Sequence, residues 1–119
     1  MKKILIVDDD IDFLDLLSRL LKKKYHIYKA TGINEALRMI EDNTLDAICS
    51  DFNMKDGTGL ELLEIIRNKG IQLPFLLMSG NEDRYTTRII QHYGAVSCCK
   101  TDPDLIGKID FITKLSDNR

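Results

Sequence analysis

Hydrophobicity along this chain switches between two periods, and it does so five times. Short β-rich runs, Lys3–Val7, His26–Thr31, Leu45–Ser50, Leu73–Ser79 and Ala95–Cys99, alternate with segments whose apolar residues recur at helical spacing. The first helical segment follows Asp10, a residue suited to cap it, and runs through Lys24 with Leu14, Leu17 and Leu21 joined by Phe13, Leu16 and Leu20. The second covers Asn34–Asp42, with Ala36, Leu37 and Ile40 on one face. The third covers Leu60–Lys69, with Leu62, Leu63, Ile65 and Ile66 turned to the core and Gly70 as its stop. The fourth covers Glu82–Tyr93 and ends at Gly94. The fifth starts at Asp102-Pro103 and carries Leu105, Ile106, Ile109, Ile112 and Leu115, with Ser116–Arg119 as a polar tail. A strand such as Lys3–Val7 is apolar throughout rather than alternating, which marks a strand covered on both faces. Five βα units with short connections therefore predict an α/β fold: a doubly wound five-stranded parallel sheet with helices on both faces, in one domain spanning residues 1–119.

In such a fold, ligands bind outside the carboxyl ends of the strands. The first strand ends in Asp8, Asp9 and Asp10, the third in Asp51, the fourth in Ser79 and the fifth in Lys100; Thr31 at the end of the second suggests no chemistry. Taken singly, each has an ordinary structural role. Asp10 is a helix cap, Asp51 a turn residue, Ser79 a strand-end hydroxyl bonded to its own backbone, and Lys100 a solvated charge. Together, on one edge of one sheet, they make a focused group. Clustered carboxylates repel one another, and a divalent cation removes that penalty. Two or three carboxylates with an open side suit Mg²⁺, which keeps some of its waters and shares a phosphoryl oxygen. An ammonium and a hydroxyl beside it complete a set able to stabilise a transferred phosphoryl group.

Several other classes fall away. The apolar runs Ile4–Val7 and Leu73–Met78 fall far short of the ~20 residues a membrane span needs. The start mimics a signal peptide only until Asp8–Asp10 interrupt it. A net charge of −2 with both signs interspersed argues against a nucleic-acid surface, and the one basic run, Lys22–Lys24, lies where a helix ends and complements its dipole. Three cysteines, Cys49, Cys98 and Cys99, without CxxC spacing make neither a zinc site nor a disulfide framework; they read as reduced, buried small hydrophobes of a cytoplasmic protein. There is no P-loop and no Ser-His-Asp arrangement, and His26 and His92 fall away from the strand ends.

At this point the chain resembles the response-regulator receiver domains of two-component signalling, along nearly its whole length. The match is carried by Ile-Leu-Ile-Val-Asp-Asp-Asp (4–10), Asp-Phe-Asn-Met-Lys-Asp-Gly-Thr-Gly-Leu-Glu-Leu-Leu (51–63), Met-Ser-Gly (78–80) and Lys100. The resemblance implies a sheet order of 2-1-3-4-5, counting the five predicted strands. It implies that Asp51 accepts phosphate from a phosphohistidine on a sensor histidine kinase or phosphotransfer protein, or from a small phosphodonor. Asp8, Asp9, Asp51 and the main-chain carbonyl of Asn53 would hold Mg²⁺. Ser79 would be the switch hydroxyl and Lys100 the partner of a phosphoryl oxygen, while Asn53 and Asn81 would flank the water path and tune the lifetime of the signal. The expected catalysis is confined to the chain's own phosphorylation and dephosphorylation. Output is expected through an unidentified partner protein or an effector domain absent from this sequence, and self-association through the face of the fourth helix, fifth strand and fifth helix.

Three positions depart from the family pattern. Lys55 stands where proline usually follows the loop methionine and pre-sets φ. Thr101 replaces the proline after Lys100, so a trans peptide is expected there. Ser97 stands three before Lys100, where an aromatic switch residue is usual, so ring rotation cannot report phosphorylation in this chain. These departures favour a second reading, a receiver-like interaction module that phosphorylation does not switch. A third, a flavin-binding relative of the same fold, would need a phosphate-cradling loop where Asp8–Asp10 stand.

Overall fold

β1 (Lys3–Val7) is an interior strand of the sheet, between β2 (His26–Ala30) and β3 (Ala47–Asp51), in a computed structural model that describes residues 1–80 and 83–118. Its side chains sort by parity. Ile4 and Ile6 join Cys49, Leu76 and Met78 in a cluster under α1 (Ile11–Leu21) and α5 (Leu105–Lys114). Leu5 and Val7 join Ile48, Phe75 and Leu77 in a second cluster under α2 (Ile33–Asp42), α3 (Gly59–Asn68) and α4 (Arg84–His92). A strand that alternates between two buried clusters must be apolar at every position, which is why β1 reads as an unbroken run. β6 (Phe75–Met78) and β7 (Val96–Cys98) complete a parallel sheet in the order β2-β1-β3-β6-β7. Two further short strands, β4 (Asn53–Met54) and β5 (Gly57–Thr58), form a separate antiparallel hairpin, so the five main strands follow the expected 2-1-3-4-5 order.

The hairpin lies between the third strand and third helix expected from the sequence, and its two-residue strands are too short for their periodicity to show. Helix boundaries also moved. α1 ends at Leu21 rather than Lys24, and Leu16 and Leu20 are 50% and 59% exposed, because a single buried stripe is filled by Leu14, Leu17 and Leu21. Lys24 instead pairs with Asp110 of α5 at 3.1 Å. The Asp102-Pro103 signal marks a turn, not the helix start: Asp102 accepts from the N–H of Asp104 with its side chain and of Leu105 with its carbonyl, and α5 begins at Leu105. Leu115–Asn118 form a 3-10 turn where a tail was expected, and Lys2 donates to Thr113 O at 3.1 Å and Ser116 Oγ at 2.7 Å beside it. The expected first residue of the fourth helix, Glu82, lies outside the described residues; Asp83 caps α4 through the N–H of Thr86. No described helix is long and apolar enough to cross a membrane.

A half-buried cation ties the layers together at the far edge from the candidate site. Arg67 of α3 donates to the carbonyls of Tyr93, Ile71 and Leu73, each at 2.8 Å, and burial lowers its pKa. Hydrogen bonds from a charged donor contribute ~1.5–3 kcal/mol each. Arg67→Met keeps the apolar stem but leaves three carbonyls without this donor. It is expected to cost about 3 kcal/mol, read as a lower urea midpoint at unchanged m-value.

Candidate functional site

Register brings the acidic residues together. Val7 of β1 pairs with Ser50 of β3, so Asp8 and Asp51 follow in step at the carboxyl ends of adjacent strands. Asp8 prolongs β1, its N–H donating to Ala30 O at 3.0 Å, and it is fully buried. One oxygen from each of Asp8, Asp9 and Asp51 lies within 4.8 Å of the others. Met78 pairs with Cys98, which places Ser79 and the Cys99-Lys100 turn at the next two strand ends. All of the site residues expected from the sequence converge on this edge except Asn81, which lies outside the described residues.

Lys100 is the hub. Its ammonium lies 2.8 Å from Asp8 Oδ2 and 3.5 Å from Asp51 Oδ2, and over the face of the Phe13 ring, 4.7 Å from its centre. Burial works against the charged ammonium, but Asp8 and Asp51 outweigh it and raise the Lys100 pKa. For Asp51 the balance tips the other way. Burial first, then the charge of Asp8, pushes its carboxyl above the ordinary value, against the pull of Lys100 and of the Phe52 N–H that donates to Oδ1 at 2.9 Å. One ammonium therefore leaves the acidic group with an uncompensated negative charge.

Two buried oxygens point to what is missing from this balance. Ser79 Oγ is buried and has no hydrogen-bond partner. Asp8 Oδ1 accepts from the N–H of Asp10 at 2.9 Å, whereas Oδ2 meets Lys100 as an ion pair without an aligned hydrogen-bond donor. Buried polar atoms are rarely left so, and a hydroxyl donor in a cleft it shares with an ammonium suits a bound oxyanion. Ser79 opens into a cleft of about 440 Å³ shared with Asp51, Asn53, Lys100, Thr86 and Cys99. The three carboxylates fit a hard divalent cation by donor type, and the cleft beside them is large enough for a phosphoryl group.

Several features were not legible beforehand. Helical spacing makes Phe13 part of the α1 stripe, and the structure sets its ring under the Lys100 ammonium. Cys99 is exposed and lines the cleft, and Cys98 is half-buried, so only Cys49 is the buried hydrophobe expected of all three. Gly59, just before the helix start expected at Leu60, sits against the Asp51 carbonyl so closely that a Cβ there would stand 2.3 Å from the oxygen. His26 and His92 are exposed and take no part in the cleft.

Comparison with known proteins agrees with this geometry. Residues 4–101 match the family model described as response regulator receiver domain. The two-component response regulator ARR11 of Arabidopsis thaliana is 35% identical over 92 residues, which is 75% of this chain and 17% of that protein. The chain thus spans about a sixth of the length of this plant relative. Among solved structures, a receiver domain protein (CheY-like) from Methanospirillum hungatei superposes with a TM-score of 0.89 at 26% identity, covering 99% of this chain and 98% of the other. The response regulator TrrA of Thermotoga maritima, solved in complex with Mg²⁺-BeF, superposes with a TM-score of 0.78 at 25% identity, covering 94% and 99%. By sequence pattern, by fold and by the convergence of these residues on one sheet edge, the chain belongs to the response regulator receiver domain family.

Proposed function

We propose that this chain, read as a single receiver domain over residues 1–119, is a phosphorylation-operated switch with Asp51 as the phosphoacceptor. The observation that carries this is the pairing of an acidic group in excess of its one cation with an unpartnered, buried Ser79 hydroxyl in the same cleft. Asp8, Asp9, Asp51 and the carbonyl of Asn53 would hold Mg²⁺. When bound, that ion neutralises charge on the carboxylates and on the entering phosphoryl oxygens.

The chain's own residues then do the following. Lys100 holds Asp51 toward its ionised form, as a nucleophile must be, and directs an ammonium at the incoming group. Asp51 Oδ forms the bond to phosphorus as the bond from phosphorus to a phosphohistidine nitrogen, or to the oxygen of a small phosphodonor, breaks; the leaving group keeps the electron pair. Ser79 donates its hydroxyl proton to a phosphoryl oxygen, which satisfies the orphaned atom. That new bond pulls on the chain just before α4 and gives the phosphorylated state a different conformation to favour. The donor is a sensor histidine kinase or phosphotransfer protein, output is by protein contact, and the α4–β7–α5 face is the surface for a second copy. Asn53, and Asn81 outside the described residues, tune hydrolysis.

Incubation with acetyl phosphate and Mg²⁺ is expected to add one phosphoryl group by intact mass, and BeF₃⁻ with Mg²⁺ is expected to bind at Asp51. No adduct and no Mg²⁺ binding would sink the reading. Half-buried Ser97 in place of an aromatic switch favours a second reading, an unswitched interaction module, under which Asp51→Asn would leave partner binding unchanged.

A further inference from the structure

α2 is capped from a distance. Its N-cap position is Gly32, which has no side chain to offer, and the first free amides of the helix are taken by Asp56 instead. Asp56 Oδ1 accepts from the Ile33 N–H at 2.9 Å and Oδ2 from the Asn34 N–H at 3.1 Å. Asp56 lies at the tip of the β4–β5 hairpin, the segment that leaves Asp51 and carries Asn53. A neighbouring contact closes the same joint: a Cβ on Gly57 would stand 2.5 Å from Ile33 Cδ1, so hairpin and helix meet backbone to side chain. At Gly32 the three atoms nearest to an added Cβ all belong to Asp56, whose Oδ1, Oδ2 and Cγ would lie 2.7, 2.9 and 3.0 Å away.

We propose that Asp56 is a positioning residue that bolts the hairpin after Asp51 to the N-terminus of α2, and so fixes the Asn53 carbonyl for Mg²⁺. The bolt supplies the stiffness that a proline at position 55 would otherwise give. Both carboxylate oxygens are used, on two amides that point the same way, so the hairpin tip cannot swing without uncapping the helix. The metal part of this inference rests on the function proposed above; the bolt itself does not.

Capping and bolting can be separated by moving the cap. In Asp56→Ala, removal of the side chain opens the space at Gly32, whose extended backbone (φ −170°) accepts any residue. Adding Gly32→Ser then gives α2 a cap of its own while the hairpin stays free. Asp56→Ala alone is expected to lower the thermal midpoint, to speed amide exchange across 53–58 and to weaken Mg²⁺ binding by about tenfold, as removal of supporting residues around a metal site does. The double variant is expected to regain the thermal midpoint while Mg²⁺ affinity and hairpin protection stay low. If all three return together, Asp56 only caps a helix and the inference is overturned. Asp56→Asn keeps one acceptor oxygen and should fall between wild type and Asp56→Ala; wild-type Mg²⁺ affinity and hairpin exchange in both single variants would also overturn it. Should the wild type bind no Mg²⁺, the proposed function fails, and hairpin exchange in the double variant alone decides whether the bolt exists.

Discussion

Asp51→Asn is expected to gain no phosphoryl group from acetyl phosphate under conditions that phosphorylate the wild type, and to lose the stabilisation that Mg²⁺ confers. The first loss is complete, because an amide is not a nucleophile and Asp8, at the end of the adjacent strand, is fully buried against Lys100. The second is read as a thermal shift: an ion at a hundred times its Kd stabilises by about 2.7 kcal/mol, and a variant lacking the shared ligand keeps little of that. Without Mg²⁺ the sign reverses. The folded Asp51 pKa is raised by burial and by Asp8, so folding favours the protonated acid. Its contribution to metal-free stability is therefore greatest at low pH and is lost as pH rises from the ordinary carboxylate value, about 3.9, through the raised folded value. Asp51→Asn removes that loss, and at neutral pH without metal it should unfold at a higher temperature than wild type. Lys100 acts at the other end of the scale. Its raised pKa gives stability that is present below the ordinary lysine value and disappears as pH climbs above it through the folded value. A variant that is more stable without Mg²⁺ and less responsive with it marks a site whose charge balance was set for a cation.

The parts of this site that were legible in the sequence are those written into strand ends. Asp8, Asp51, Ser79 and Lys100 each follow an apolar run, and once the runs are parallel neighbours their ends must meet. Parallel pairing adds no freedom here: a slip of one residue would send Leu5 and Val7 to the cluster of Ile4 and Ile6. What the sequence hid is whatever depends on contacts between segments distant in the chain. Asp56 looks like a turn residue until α2 is seen to lack a cap of its own. Leu16 and Leu20 satisfy helical spacing as well as Leu17 and Leu21 do, and only the position of the sheet decides which pair is buried. Asp102-Pro103 carries a correct local signal for a turn with a capped end, and tertiary packing places the helix two residues later.

Gly59→Ala tests the tightest of these hidden contacts, and two effects oppose each other there. In a helix, alanine is favoured over glycine by ~1 kcal/mol, so local propensity predicts a gain. The added Cβ, however, would stand 2.3 Å from Asp51 O and 2.6 Å from Leu77 Cδ1. The leucine methyl can turn aside, but the carbonyl cannot: it belongs to the residue that ends β3, and the Gly59 N–H is itself held to Phe52 O at 2.7 Å. Relief requires moving the start of α3 away from the end of β3, and overpacking of this kind costs ~1–3 kcal/mol or more. The clash should win, with a net destabilisation of about 2 kcal/mol in chemical denaturation. Because the displaced backbone is that of Asp51, phosphorylation should slow as well, even at temperatures where the variant is fully folded. Gly70→Ala is the matching control. Its φ of +81° makes alanine strained, but a Cβ there meets nothing within 4 Å, and it lies just beyond the far end of the same helix. It should cost ~1 kcal/mol and leave the phosphorylation rate unchanged. Equal rates in the two variants would mean that the approach of α3 to β3 has no part in placing the acceptor; a rate lost only in Gly59→Ala would tie the position of the Asp51 carboxylate to the absence of one methyl group.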